Sequence, residues 1–310
     1  MKKSLGIRNW ESAQRIVRDW EAAPAESNLT AKEAAEKFYA DAVSRNLGTA
    51  QLGKYRLLTS ELEREFAHRM IAHISVDELR ELRASWDLSP ISSQKKLERL
   101  KTFFRFCQDA GWIQNNPTSS LKPPKVKPNP VLPFTDEEWE KIHWALEVYP
   151  DRPKGRREQV KAFVLLLRYS GLRIGDAISL TPDKINDGKL MLYTAKAGTA
   201  VWLPLPNEVL ESLQHVSFSG RFFWSGNGIL KSAVADWQRS LKRLFELAGV
   251  KGHAHMFRHT LAVDLLRRGV SLENVAAILG NSVRVCEKHY APFVKARQIA
   301  LEKEIKKVWS

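Results

Sequence analysis

The residues best suited to chemistry lie in the last third of the chain. They are His255-Met256-Phe257-Arg258-His259 and, downstream, the tyrosine of Glu287-Lys288-His289-Tyr290. A second arginine stands upstream in Ser170-Gly171-Leu172-Arg173-Ile174-Gly175-Asp176. Two guanidiniums, an imidazole and a phenol suit phosphoryl transfer to tyrosine. Cleaving a phosphodiester with a side chain needs a nucleophile, positive charge at the non-bridging oxygens and an acid for the departing sugar oxygen. Arg173 and Arg258 fit the second need, because planar guanidiniums make paired hydrogen bonds to phosphate and stay charged at any working pH. Tyr290 fits the first. A phenol with an ordinary pKa of about 10 is protonated at neutral pH, so its proton must leave as it attacks. His255, three residues before Arg258, is the natural base and would return the proton when the strand is rejoined.

In combination these motifs resemble those of the tyrosine recombinases, the phage integrase family, over roughly residues 30 to 300. The resemblance implies a site-specific recombinase that cuts and rejoins double-stranded DNA through a 3′-phosphotyrosine at Tyr290, leaving a free 5′-hydroxyl. It implies a homotetramer working on two DNA sites. Lys196, in Thr194-Ala195-Lys196-Ala197-Gly198, resembles the family's β-hairpin lysine, the general acid for the leaving oxygen. Asp176 is expected to face Arg173 across one helical turn and to hold its guanidinium by an ion pair. His259 and His289 are read as packing or phosphate-shell residues. One position departs from the pattern. Where the family usually has Leu-Gly-His, this chain has Leu279-Gly280-Asn281, an amide that can donate a hydrogen bond to phosphate but carries no charge and shuttles no proton. Slower cleavage, rather than none, is the expectation. Two other readings stay open: a type IB topoisomerase using the same chemistry, and a DNA-binding protein of this fold with weakened catalysis.

The composition agrees with a polyanionic partner. Of 310 residues, 44% are hydrophobic and ten are tryptophan, enough for two cores. A formal charge of +14 suits displacement of the counterions condensed on a phosphate backbone. Cys107 and Cys286 are the only cysteines, too few for a disulfide framework or a zinc site, which points to a reducing, cytoplasmic setting. No run approaches the roughly 18 apolar residues of a membrane span, and neither a metal nor a nucleotide cofactor is expected, there being no ligand cluster and no phosphate loop of the Gly-x-x-x-x-Gly-Lys type.

The elements expected to position these groups are mostly helical. An N-terminal extension, residues 1–28, carries a short amphipathic helix over 10–22. A helix opens at Thr30, capped reciprocally with Glu33, and helices continue over 49–67, 75–85 and 92–110. Residues 29–116 thus read as a helical, SAM-like core-binding domain, with Lys95, Lys96, Arg99, Lys101 and Arg105 as its candidate DNA-facing cations. Six of the fourteen prolines fall between Pro117 and Pro133, so 117–133 reads as an extended linker; in the family it lets two domains close around the duplex. The catalytic domain, 134–310, begins with a helix at Thr135-Asp136-Glu137-Glu138. It continues through a helix around 163–167, then strands over 189–193 and 200–205 form a small β-hairpin in a mixed α/β domain. Helices return over 229–248, 257–268 and 271–279, with Gly269 and Gly280 as stops, and a tail helix over 293–309.

Overall fold

The computed structural model describes residues 29–126, 132–195, 198–216 and 220–290, together with Ile299, Glu302 and residues 305–309. The N-terminal helix expected over 10–22, Lys196 and most of the tail helix lie outside the described residues. The chain divides into two compact units between Pro128 and Asn129.

In the first unit four helices surround one core: α1 (Ala31–Ser44), α2 (Thr49–Phe66), α3 (Val76–Ala84) and α4 (Pro90–Asp109). Local chemistry sets where they begin. The Thr30 hydroxyl accepts from Glu33 N–H while the Glu33 carboxylate accepts from Thr30 N–H, and Ser75 and Glu78 repeat the arrangement at α3. The apolar stripe of α4, Leu97, Leu100, Phe103, Phe104 and Cys107, faces the centre, where Phe103 meets Phe38 of α1 edge-on at 5.4 Å. Burial pushes the Cys107 thiol up to about 12, leaving an inert packing group. The expected linker begins too early. Residues 117–120 form a turn, Thr118 is buried, and Leu121 joins the first core, because an apolar side chain next to a packed helical unit is better covered than extended in water.

The second unit packs α5 (Asp136–Glu147), α6 (Arg156–Ser170), α7 (Ile174–Ile178), α8 (Asn207–Gln214), α9 (Leu230–Ala248), α10 (Ala254–Arg267), α11 (Leu272–Leu279) and α12 (Val283–Tyr290) with one small sheet. That sheet is antiparallel in the order β1 (Ile185–Asn186), β2 (Lys189–Tyr193), β3 (Ala200–Pro204). It has one strand more than the expected hairpin. Alternation places Val201 and Leu203 against the core and Trp202 outward. The main core is built on Phe163 of α6, whose ring lies 4.1 Å from that of Trp237 of α9. A smaller apolar cluster joins α10, α11 and α12 through Leu261, Val275, Leu279, Cys286 and Tyr290.

Two helix ends in this unit lead into the segments that carry Arg173 and Asn281. α6 stops at Gly171 and α11 at Gly280, both in the left-handed region at φ +62° and +58°. A Cβ at Gly171 would stand 2.8 Å from Leu279 and 2.9 Å from Leu261, so here both the backbone conformation and the space demand glycine. Gly171→Ala should therefore destabilise the protein by about 1–3 kcal/mol. Thermal and urea melts check this; an unchanged midpoint would mean that the α6 terminus is not constrained as described.

Candidate active site

The site gathers around the N-terminal half of α10. This helix is anchored on both sides: Arg168 of α6 pairs with Asp264, and Thr260 Oγ1 accepts from Phe134 N–H at 2.9 Å. Arg258 points inward and is 2% exposed. Its Nη1 donates to the carbonyl of Gly171 at 2.8 Å and its Nη2 to that of Leu279. Both carbonyls belong to helix C-termini, where free oxygens and the negative end of the helix dipole favour a cation. Its Nε is buried without a hydrogen-bond partner. Burial, followed by the nearby charge of Arg173, lowers the Arg258 pKa, and Tyr290 acts in the opposite direction.

Arg173 sits at the N-cap of α7 in extended backbone, immediately beyond the Gly171 turn. Its Nη2 donates to Asn281 Oδ1 at 2.9 Å, and its Nη1 is buried without a partner. The ion pair expected between Arg173 and Asp176 is absent among the described residues. Asp176 Oδ1 instead accepts from the backbone N–H of Ala195 at 3.0 Å, and Oδ2 is buried with no partner. The carboxylate lies on the first turn of α7, which aims it at the β2–β3 connection, so it fixes the residue directly before Lys196. Asn281 lies beside Arg173. Its carbonyl oxygen is taken by Arg173, and its amide meets the thiol of Cys286.

Tyr290 ends α12 and is 2% exposed. Burial raises the pKa of its phenol; the charge of Arg258 opposes the shift but is the smaller effect. Its hydroxyl lies 2.9 Å from Nδ1 of His259, with which it shares a hydrogen bond. Motif spacing points to His255 as the base, yet the imidazole in reach of the phenol is His259. His255 stands one turn earlier on α10, its ring perpendicular to that of His259 with centroids 4.5 Å apart. It is exposed and lines an open cleft of about 670 Å³ together with Arg173, Gln238, Lys242 and His253. Burial and then the charges of His255, His253, Arg258 and His289 push His259 down to about 3, so its imidazole is neutral at physiological pH. Among the described residues no group of three or more His, Cys, Asp or Glu side chains could hold a metal ion.

The five cations expected on α4 do not form one face. A helix turns roughly 100° per residue, so Lys95 and Arg99 share one side while Lys101 and Arg105 fall on another. Lys95, Lys96 and Arg99 line a groove with Ser92 and Leu88. Lys96 is committed within the unit: its Nζ lies 2.7 Å from the largely buried Glu61 and 4.5 Å from the Trp86 ring.

Two arginines, a buried phenol and an open cleft lined by basic side chains thus stand on a mostly helical domain with one small sheet. The Phage integrase family model matches residues 134–293. The chain belongs to the phage integrase family. The tyrosine recombinase XerC of Erythrobacter litoralis (strain HTCC2594) is 26% identical over 234 residues, covering 73% of this chain and 76% of that protein. Among solved structures, a lambda integrase dimer bound to a COC′ core site superposes with a TM-score of 0.70 at 18% identity, covering 92% of this chain and 81% of that one. A lambda integrase tetramer bound to a Holliday junction gives 0.68 at 18% identity, covering 89% of this chain and 82% of that one. Among the described residues no helix is long and apolar enough to cross a membrane.

The neutrality of His259 has a thermodynamic consequence. Its folded pKa lies below the ordinary histidine value of about 6.5, so between that value and about 3 the unfolded chain binds a proton that the folded chain does not. Stability must therefore fall as pH drops below about 6.5, by at most about 1.4 kcal/mol per pH unit from this group. Relative to wild type, His259→Asn should flatten the loss of melting temperature between about pH 6.5 and 4. Parallel curves for the two proteins would mean that His259 titrates freely.

Proposed function

We propose that this protein is a site-specific DNA recombinase in which Tyr290 attacks the scissile phosphate, forms a 3′-phosphotyrosine and releases a 5′-hydroxyl that is later exchanged with a partner strand. The observation that carries the reading is a pair of buried, unpartnered guanidinium donors, Arg173 Nη1 and Arg258 Nε, within electrostatic reach of a buried phenol. Buried donors without acceptors are costly, and an anionic phosphodiester supplies acceptors of the right charge. Charge on the non-bridging oxygens grows as the fifth bond to phosphorus forms, and preorganised guanidiniums stabilise that growth more than the ground state.

The remaining roles obey the same chemistry. Lys196 protonates the departing 5′-oxygen; the residue before it, Ala195, is held by Asp176 through its backbone N–H. His255, in the cleft with Arg173, contributes a donor to a phosphate oxygen. Asn281 orients Arg173. On the first unit, Lys95, Arg99, Lys101 and Arg105 are offered as contacts to the DNA backbone, which position the duplex without reading its sequence; Lys96 serves the fold. A homotetramer on two DNA sites is the assembly in which exchange takes place. The fold shared with an integrase that forms a tetramer on a Holliday junction supports it.

The test starts from a pool of randomised, nicked duplexes incubated with the full chain, after which the mixture is denatured and covalently held DNA is sequenced. Wild type should capture a defined duplex through Tyr290, and Tyr290→Phe should bind that duplex with nearly unchanged affinity yet form no adduct. An adduct persisting in Tyr290→Phe, or none in wild type, would sink the reading. Arg173→Ala and Arg258→Ala should each lower single-turnover cleavage by about 10²–10³-fold, the loss typical of removing one oxyanion donor, with far smaller effects on binding.

The acid is tested separately. A 5′-bridging sulfur at the scissile phosphate departs with little protonation, so it should restore cleavage by Lys196→Ala but not by Arg258→Ala. Equal defects of Lys196→Ala on the oxygen and sulfur substrates would remove that lysine from the role.

A further inference from the structure

We propose that His259, through the lone pair of Nδ1, takes the phenolic proton of Tyr290 as the tyrosine oxygen attacks phosphorus, an inference that rests on the reading of Tyr290 as the nucleophile. The bond between the tyrosine oxygen and phosphorus forms, the bond from phosphorus to the 5′-oxygen breaks, and the leaving oxygen takes its proton from the general acid. In the reverse step the 5′-hydroxyl attacks phosphorus and gives its proton back to the deprotonated general acid, the phosphotyrosine bond breaks, and the imidazolium of His259 returns its proton to the tyrosine oxygen.

Geometry separates the two histidines of α10. His259 is 6% exposed and its Nδ1 lies 2.9 Å from the Tyr290 hydroxyl, within the reach required of a base. His255 is exposed and lines the cleft that holds Arg173, a cleft whose lining does not include His259. One imidazole thus faces the incoming phosphate and the other the attacking oxygen. The groups around His259 then decide when it can act. From α10 these are His255 and Arg258, from the segment before α10 His253, and from α12 His289 and Tyr290 itself. Arg173, at the start of α7, reaches the same phenol. Burial and the surrounding cations keep the imidazole neutral, so its lone pair is free, but they also make it a weak base. The phenol, its own pKa raised by burial, keeps its proton. A phosphodiester between Arg173 and Arg258 brings the negative charge that cancels part of that field, raises the basicity of His259 and lowers the cost of the imidazolium. Nucleophile activation is therefore coupled to occupation of the site by DNA, and the unbound enzyme carries an inert tyrosine.

Asparagine distinguishes proton transfer from positioning, because its carboxamide oxygen falls where Nδ1 stands and accepts the same hydrogen bond without taking a proton. On the duplex captured by wild type, His259→Asn should bind normally and lose about 10²–10⁴-fold in single-turnover adduct formation, the range of general base catalysis. Replacing Tyr290 of that variant with 3,5-difluorotyrosine, a more acidic phenol, should recover most of the loss, whereas the same replacement in Arg258→Ala should recover little. Wild-type cleavage by His259→Asn, or a defect that the acidic phenol does not relieve, overturns the proposal. A measurement on the unaltered fold guards against a variant that fails to fold: in ¹⁵N-histidine-labelled wild type, Nδ1 of His259 should carry the shift of a nitrogen without a proton. A proton found on Nδ1 in the free protein would equally overturn it. A wild-type protein that forms no adduct at Tyr290 would fell both this inference and the function it rests on, while a Tyr290 adduct with an unaffected His259→Asn fells this inference alone.

Discussion

The catalytic unit is organised by a buried cation held at the ends of two helices. Arg258 enters from α10 and binds the carbonyls of Gly171 and Leu279, tying together the C-termini of α6 and α11. A guanidinium is costly to remove from water unless its donors are satisfied, and two helix C-termini supply both acceptors and a favourable dipole. The requirement works in both directions. The helices must stop where their last carbonyls are free to turn toward Arg258, and both stop at a glycine in the left-handed conformation. The residues just past those stops, Arg173 after Gly171 and Asn281 after Gly280, are then delivered to one another, with 2.9 Å between Arg173 Nη2 and Asn281 Oδ1. One interaction therefore places the two segments on which the rest of the site is assembled.

The fold does not saturate its cations. Arg258 Nε and Arg173 Nη1 remain buried without acceptors, although carboxylates are plentiful in the chain and one, Asp176, lies on the turn adjoining Arg173. Were Asp176 paired with Arg173, an incoming phosphate would have to displace a charged hydrogen bond worth about 1.5–3 kcal/mol. Its engagement with Ala195 N–H leaves the guanidinium to the ligand and commits the carboxylate to the connection that contains Lys196. The site is thus preorganised for an anion at some expense to stability, which is the usual relation between a functional site and its scaffold.

Much of this arrangement is legible in the sequence because its signals are local. Thr30 with Glu33 forms the reciprocal cap that its spacing announces, and Thr135 caps α5 as expected, with Glu138 completing the same arrangement. The alternation of 189–193 and 200–204 gives two strands with the expected faces. Gly280 ends α11 as a glycine after an apolar run should. What stays hidden depends on partners distant in the chain. The helix α12, which carries the tyrosine, reads in sequence as Val-Arg-Val-Cys, a β-branched alternation; only the shared burial of Cys286 and Tyr290, four residues apart, reveals its helical face. Helix α8 comes after Pro206 and owes its place to Val209 and Leu213 closing over the core. The choice between His255 and His259 is invisible in sequence for the same reason. Both lie on one side of α10 one turn apart, and which of them meets Tyr290 is set by where α12 docks, not by any motif.

Asn281 shows how a departure from a family pattern is absorbed. Asn281 accepts from Arg173, whose guanidinium charge is itself close enough to Arg258 to lower that group's pKa, so the position borders two positive charges. A further imidazole there would compete with its neighbours for protonation, since each nearby cation disfavours the next. An amide avoids that repulsion and still satisfies two neighbours, accepting from Arg173 with its oxygen while its nitrogen meets the Cys286 thiol. What it gives up is a charged donor to phosphate, a difference on the order of 1 kcal/mol between neutral and charge-assisted hydrogen bonds, and hence about a tenfold change in rate. That loss is small beside the contribution proposed for either arginine, whose charge would meet the charge growing on phosphate. In the proposed mechanism Asn281 therefore acts through the orientation of Arg173, and the chemistry rests with the two guanidiniums and the phenol.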